Sequence, residues 1–187
     1  MINSVIETAI QDHRRALDDL SNLEDEIINS VNLIEKAFIS GNKLLICGNG
    51  GSAADSQHFA SELSGRYEKE RPGLPAISLV TDSSALTAIA NDYNYQNVFS
   101  RQLQALGRPN DVLFAISTSG NSENVLSAIQ YAKTNQISTI GLTGKSGGKM
   151  AKLVDIPIIV NGSKTARIQE VHILIIHLIC ELLEFNL

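Results

Sequence analysis

Five short apolar runs, at residues 43–47, 76–80, 112–116, 138–142 and 156–160, alternate with stretches of helical spacing, and this alternation restricts the chain more than anything else in it. Short runs that are mostly apolar, rather than apolar at every second position, belong to strands covered on both faces. Such strands separated by helices pair in parallel, because each helix supplies the crossover that a parallel neighbour needs. The predicted fold is an α/β, doubly wound five-stranded parallel sheet with helices on both faces. Residues 1–40 read differently. Val5, Ala9, Ile10, Leu20, Leu23, Ile27, Val31 and Ile34 fall at helical spacing, which predicts two helices broken near Ser21-Asn22 and closed by Gly41-Asn42. A helical arm thus precedes an α/β core over 41–187, and 187 residues in all suit a single domain.

A net charge of −5 with 43% hydrophobic and 19% charged residues argues against a nucleic-acid surface or a disordered tail. No apolar run is long enough to span a bilayer and no secretory leader is recognisable, so the expected location is cytoplasmic, with no membrane partner. Cys47 and Cys180 are far apart in apolar surroundings and read as buried thiols. The last helix, from about Thr165 to Glu184, is apolar nearly all the way round between Val171 and Cys180. One domain of this size cannot cover every face of such a helix, which points to self-association.

In doubly wound sheets ligands bind beyond the carboxyl ends of the strands, and the polar clusters of this sequence fall there. Leu44–Cys47 runs into Gly48-Asn49-Gly50-Gly51-Ser52, a glycine turn whose free N–H groups, at the start of a helix, suit an anion. On that helix His58 and Glu62, four apart, share a face where a carboxylate can move a proton and an imidazole can hold a metal. A second cluster, Ser117-Thr118-Ser119-Gly120-Asn121-Ser122, crowds four hydroxyls at one helix N-terminus. Capping accounts for one or two of them; phosphate binding accounts for all four. Of two named loops, the first fails the spacing test and the second is disfavoured by it, which leaves an NAD-dependent oxidoreductase as a trailing alternative. Gly144-Lys145-Ser146 lacks the first glycine of a nucleotide triphosphate loop, which would fall at Thr139. Gly48 to Ala53 fits a dinucleotide fingerprint, but the nearest acidic candidate is Asp82, too far along.

Other polar residues have ordinary readings. Asn91-Asp92 ends an alanine-rich helical stretch, where asparagine serves as a cap or meets a polyol. His172 in an apolar helix reads as a core residue. His177 lies eight residues after Gln169, about 12 Å along an ideal helix, so sharing a ligand requires convergence or a subunit boundary. Glu68 to Gly73 is charged and aperiodic, and reads as a solvated loop without function.

These motifs together resemble the sugar isomerase (SIS) domain family, and within it the bacterial phosphoheptose isomerases. The resemblance is carried by Cys47 to Ser52, His58-Phe59-Ala60 with Glu62, Ser64 to Tyr67, Asn91-Asp92-Tyr93, Ser117 to Ser122, Leu142 to Lys145 with Gly147-Gly148, and Ala166 to Glu170 with His172 and His177. It implies a flavodoxin-like SIS fold and conversion of sedoheptulose 7-phosphate to D-glycero-D-manno-heptose 7-phosphate, for heptose units of bacterial surface polysaccharide. It also implies a homotetramer with sites at subunit interfaces, the N-terminal helices serving in assembly. By the same resemblance Ser117, Thr118, Ser119 and Ser122 hold the phosphate, and Asn49, Gly50, Gly51, Ser52, Asn91, Asp92 and Gln169 line the sugar. Glu62 and His177 form the acid/base pair, and one zinc per subunit is held by His58, Glu62, Gln169 and His177. Some members have an acidic residue where this chain has Ala166, so any contact from that acid is missing. A rival class, SIS proteins that bind the replication initiator without catalysis, lacks the equivalents of Glu62 and His177; this chain has both.

Overall fold

The computed structural model describes residues 2–186. Strands β1 (Leu44–Gly48), β2 (Ala76–Ser78), β3 (Val112–Ser117), β4 (Ser138–Gly144) and β5 (Ile156–Val160) form one parallel sheet in the order β2-β1-β3-β4-β5. All neighbouring pairs are parallel, with Leu44 opposite both Ala76 and Val112. Every residue of β1 and β3 is buried, as expected of continuous apolar strands between two helical layers. β2 is the exception. It lies at the sheet edge, has three residues, and leaves Ile77 exposed.

The period of two along each strand divides the core. Leu44, Ile46, Phe114, Ile116, Ile140, Leu142 and Ile158 face one helical layer; Leu45, Cys47, Leu113 and Ala115 face the other. The first layer holds α2 (Glu24–Ile39), α3 (Gly51–Ser64) and α7 (Thr165–Asn186), with α1 (Ile2–Asp18) packed on α7. The second holds α4 (Ser83–Asp92), α5 (Val98–Leu106) and α6 (Glu123–Thr134). A 3₁₀ turn, Leu20–Leu23, separates α1 from α2, at the break predicted from Ser21-Asn22. Phe59 on α3 meets Phe114 on β3 edge to face, with ring centroids 5.1 Å apart. That contact fixes the roll of α3, so the neighbouring His58 turns away from the core.

Self-association was expected from α7, yet much of that helix is buried within its own chain, against α1, α2, α3 and the sheet. The exposed apolar stripe is on α1 instead: Ile2, Val5, Ile6 and Ile10 are all exposed at the spacing of one helical face. Cys47 and Cys180 are both free and buried. Burial pushes the Cys47 thiol up to about 12, which leaves it inert.

Candidate active site

The chain order puts the switch point of the sheet between β1 and β3, whose connections leave in opposite directions. Both predicted clusters sit there. After β1 the chain turns through Asn49 and Gly50 into α3, with Ser52 N–H donating to Asn49 O at 3.0 Å and Ala53 N–H to Gly50 O at 3.0 Å. Ser52 is buried in this first turn. A Cβ on Gly51 would come within 2.8 Å of Gln169 Cδ and 3.0 Å of its Oε1; glycine is what lets the α7 amide lie over the α3 N-terminus.

Asn49 is held from two sides. Its Nδ2 donates to Asn124 Oδ1 at 2.8 Å, Asn124 Nδ2 donates back at 2.9 Å, and Tyr95 OH donates to Asn49 Oδ1 at 3.0 Å. Asn124 is buried and its Oδ1 also accepts from Val125 N–H at 3.0 Å. Nothing in the sequence marks Asn124 or Tyr95; one looks like any polar residue of a helix, and the other opens a short 3₁₀ turn 46 residues from Asn49. Through Asn124 the glycine turn and the serine loop become one unit.

The serine loop leaves β3 at Ser117 and enters α6 at Glu123. Ser122 holds the N-cap position but makes no capping hydrogen bond. Its Oγ instead lies 3.0 Å from Ser117 Oγ. Ser119 Oγ accepts from Asn121 N–H at 3.2 Å, and Thr118 is partly exposed. Gly120, at φ +63°, is packed against the Gly147 carbonyl, a conformation and a space that exclude a larger residue. Hydroxyls therefore gather at the positive end of α6 without being used up as caps.

His58 Nε2 lies 3.2 Å from Glu62 Oε1 and 3.0 Å from His177 Nε2. His177 thus meets the His58–Glu62 pair within one chain, where α3 packs on α7, while the Gln169 amide lies against Gly51 at the start of α3 and none of these contacts joins it to His177. The Tyr67 ring flanks His177, with centroids 5.7 Å apart and an interplanar angle of 37°. His172, one turn and a half earlier on α7, is buried and donates from Nε2 to Thr143 O at 3.1 Å. Burial pulls its imidazole down to about 4, so it is a neutral core residue. Asp55, one turn before His58, has a buried Oδ2 with no hydrogen-bond partner among the described residues. Burial pushes its carboxyl up to about 6, with His58 pulling the other way.

Asn91 and Asp92 are exposed in the last turn of α4, where Asn91 Nδ2 donates to Asp92 Oδ1 at 2.9 Å. Their side chains hydrogen-bond each other, and none of the contacts above reaches them. The Glu68–Gly73 loop is not merely solvated. Arg71 Nε meets Glu184 Oε1 at 2.9 Å, and both side chains are nearly covered.

Among the described residues no three His, Cys, Asp or Glu side chains are spread around a common point as a bound ion would spread them; His58 touches Glu62 and His177 directly. A tetrahedral zinc with bonds of about 2.1 Å sets donor-to-donor edges near 3.4 Å. The contacts of 3.2 and 3.0 Å need open by only a few tenths of an ångström to reach that spread. Two imidazole nitrogens and a carboxylate are donors that zinc takes; the Gln169 amide, against Gly51, is not among the groups that meet there.

Residues 10–144 match the SIS domain family model. The chain is 54% identical over 185 residues to a phosphoheptose isomerase of Helicobacter pylori, covering 98% of this chain and 96% of that one. It is 52% identical over 184 residues to a phosphoheptose isomerase of Campylobacter jejuni, covering 98% of each. A solved phosphoheptose isomerase from Neisseria gonorrhoeae superposes with a TM-score of 0.91 at 42% identity, covering 98% of this chain and 99% of that one. One from Francisella tularensis gives 0.89 at 39% identity, covering 97% and 95%. The chain belongs to the SIS domain family, among its phosphoheptose isomerases.

Proposed function

We infer that this chain converts sedoheptulose 7-phosphate to D-glycero-D-manno-heptose 7-phosphate, and that Glu62 and His177 carry the proton transfers. The observation that supports the assignment most is the meeting of His58, Glu62 and His177 between α3 and α7, helices whose first turns meet where Gln169 lies against Gly51. Full-length similarity to phosphoheptose isomerases supports the substrate.

The phosphate is held by Ser117, Thr118, Ser119 and Ser122 at the positive end of α6, and the open-chain sugar runs past Asn49, Gly50, Gly51 and Ser52 toward α7, with Asn91, Asp92 and Gln169 taking hydroxyls. Glu62 removes the proton from C1, the C1–H electrons form the C1=C2 bond, and the C2=O π electrons pass to the C2 oxygen, which takes a proton from His177 to give the enediol. His177 returns that balance by taking the proton from O1 as C1=O forms, while Glu62 delivers its proton to C2. Glu62 Oε1 faces His58, leaving Oε2 for the substrate. Zinc held by His58, Glu62, Gln169 and His177 would, when bound, polarise the ketose oxygens and stabilise negative charge on them. The chain's own residues orient the substrate and move the protons.

The enzyme assembles as a homotetramer with sites at subunit interfaces; the exposed apolar stripe of α1 supports this reading. It works in the cytoplasm, where sugar phosphates are made, in supply of heptose for surface polysaccharide. No helix of the described residues is long and apolar enough to cross a membrane.

The test is turnover of sedoheptulose 7-phosphate by the purified protein, with zinc and with a chelator. Wild type is expected to yield the aldose phosphate, with kcat lower by roughly 10² or more in Glu62→Gln and in His177→Ala. No product from wild type supplied with zinc would refute the reading.

A further inference from the structure

Glu184 lies seven residues, about two turns, beyond His177 on α7, and its side chain is only 2% exposed. Oε1 accepts from Tyr67 N–H at 2.9 Å and from Arg71 Nε at 2.9 Å; Oε2 accepts from Glu68 N–H at 2.9 Å and Lys69 N–H at 2.8 Å. A carboxylate has about four acceptor sites, and all of them are used on one loop. Lys69 Nζ adds a bond to the Glu184 main-chain oxygen at 3.0 Å.

The other end of the same guanidinium reaches α3. Arg71 Nη2 donates to Glu62 O at 2.8 Å and Nη1 to Leu63 O at 2.8 Å, carbonyls that a helix C-terminus leaves without intrahelical partners. One side chain thus ties the main chain of Glu62 to the end of α7. Because Tyr67 N–H is bound to Glu184, the same clasp holds the Tyr67 ring against His177.

We propose that Glu184 and Arg71 are positioning residues for the isomerisation: together they set the separation of Glu62 from His177 and seat Tyr67 on the His177 ring. Neither touches the reacting carbons. The serine loop lies on other elements, so loosening the clasp disturbs the proton transfers and spares phosphate binding. The proposal rests on the isomerase reading for its kinetic consequences and on the geometry alone for the seating of Tyr67.

The experiment compares Glu184→Gln and Arg71→Lys with wild type well below their melting temperatures, per folded protein. Gln is isosteric, but either orientation of its amide turns an NH₂ toward two donors. Lys keeps the charge opposite Glu184 and loses the fork on Glu62 O and Leu63 O. Both variants are expected to lose roughly tenfold or more in kcat with KM changed by no more than about twofold. Glu70→Gln, on the same loop and 91% exposed, should behave as wild type. The second readout needs no substrate: the His177 ring resonances, shifted by the adjacent Tyr67 ring, should move in Glu184→Gln toward their position in Tyr67→Leu. Wild-type kcat in both variants, with only the melting temperature lowered, would overturn the proposal, as would unmoved His177 resonances. If wild type itself did not act on sedoheptulose 7-phosphate, the isomerase reading would fail and the ring resonances would still decide the clasp. If Glu184→Gln did not fold, Arg71→Lys would carry the kinetic arm.

Discussion

A hydroxyl that neither caps its helix nor reaches a main-chain acceptor is free to serve a ligand, and Ser122 is in that position. Ser119 Oγ accepts one hydrogen bond and keeps its own proton to donate. Hydrogen bonds to a charged group are worth about 1.5–3 kcal/mol. Ser119→Ala and Ser122→Ala should therefore each raise KM for the sugar phosphate roughly tenfold with kcat little changed; steady-state kinetics and competition by inorganic phosphate would check this. Asn124→Leu removes the partner that Asn49 meets twice. It should cost about 1–3 kcal/mol of stability and lower kcat/KM, read by thermal melts and kinetics. The hydroxyl cluster and the His58–Glu62 pair were legible in the sequence because loop composition and helical spacing are local facts. Asn124 was not, since its role comes from a contact 75 residues away in the chain, and no local pattern separates it from a solvated asparagine.

The elements were legible to different depths for a physical reason. β1 and the Val112–Ile116 run of β3 are apolar throughout because both faces are covered, and that signal needs no knowledge of partners. How α3 meets α7 depends on packing across more than a hundred residues, so the place of His177 stayed open until the fold supplied it. The charged loop after α3 was misleading in the same way. Glu68, Lys69 and Arg71 look solvated, but Glu184 at the far end of the chain collects their donors. Burial alone would raise the Glu184 carboxyl, yet the N–H groups of Lys69, Glu68 and Tyr67 outweigh it, and with Arg71 they bring it to about 2 from an ordinary 4.5. A carboxyl lowered in the folded state stabilises above its unfolded value and loses that contribution as pH falls toward its folded value. The difference in melting temperature between wild type and Glu184→Gln should thus be constant above about pH 5, and shrink from there toward pH 2, when melts are recorded across that range.

At the scale of the whole molecule, the apolar stripe of α1 and the polar loops after β1 and β3 have to be accounted for together. Ile2, Val5, Ile6 and Ile10 form a contiguous exposed apolar face, of the kind that marks an interaction surface. Sedimentation of wild type should give a tetramer, and Val5→Lys with Ile10→Lys should give smaller species with reduced activity. The central claim is that a solvent-reachable carboxylate moves the hydrogen as a proton. Glu62 is 21% exposed, so a proton resting on it exchanges with water during the reaction. The most direct measurement is conversion of sedoheptulose 7-phosphate in D₂O with deuterium in the product located by NMR. Deuterium at C2 of the aldose phosphate is the expected result; product formed to high conversion with no deuterium at C2 would mean that hydrogen passes directly from C1 to C2 without Glu62 acting as a base.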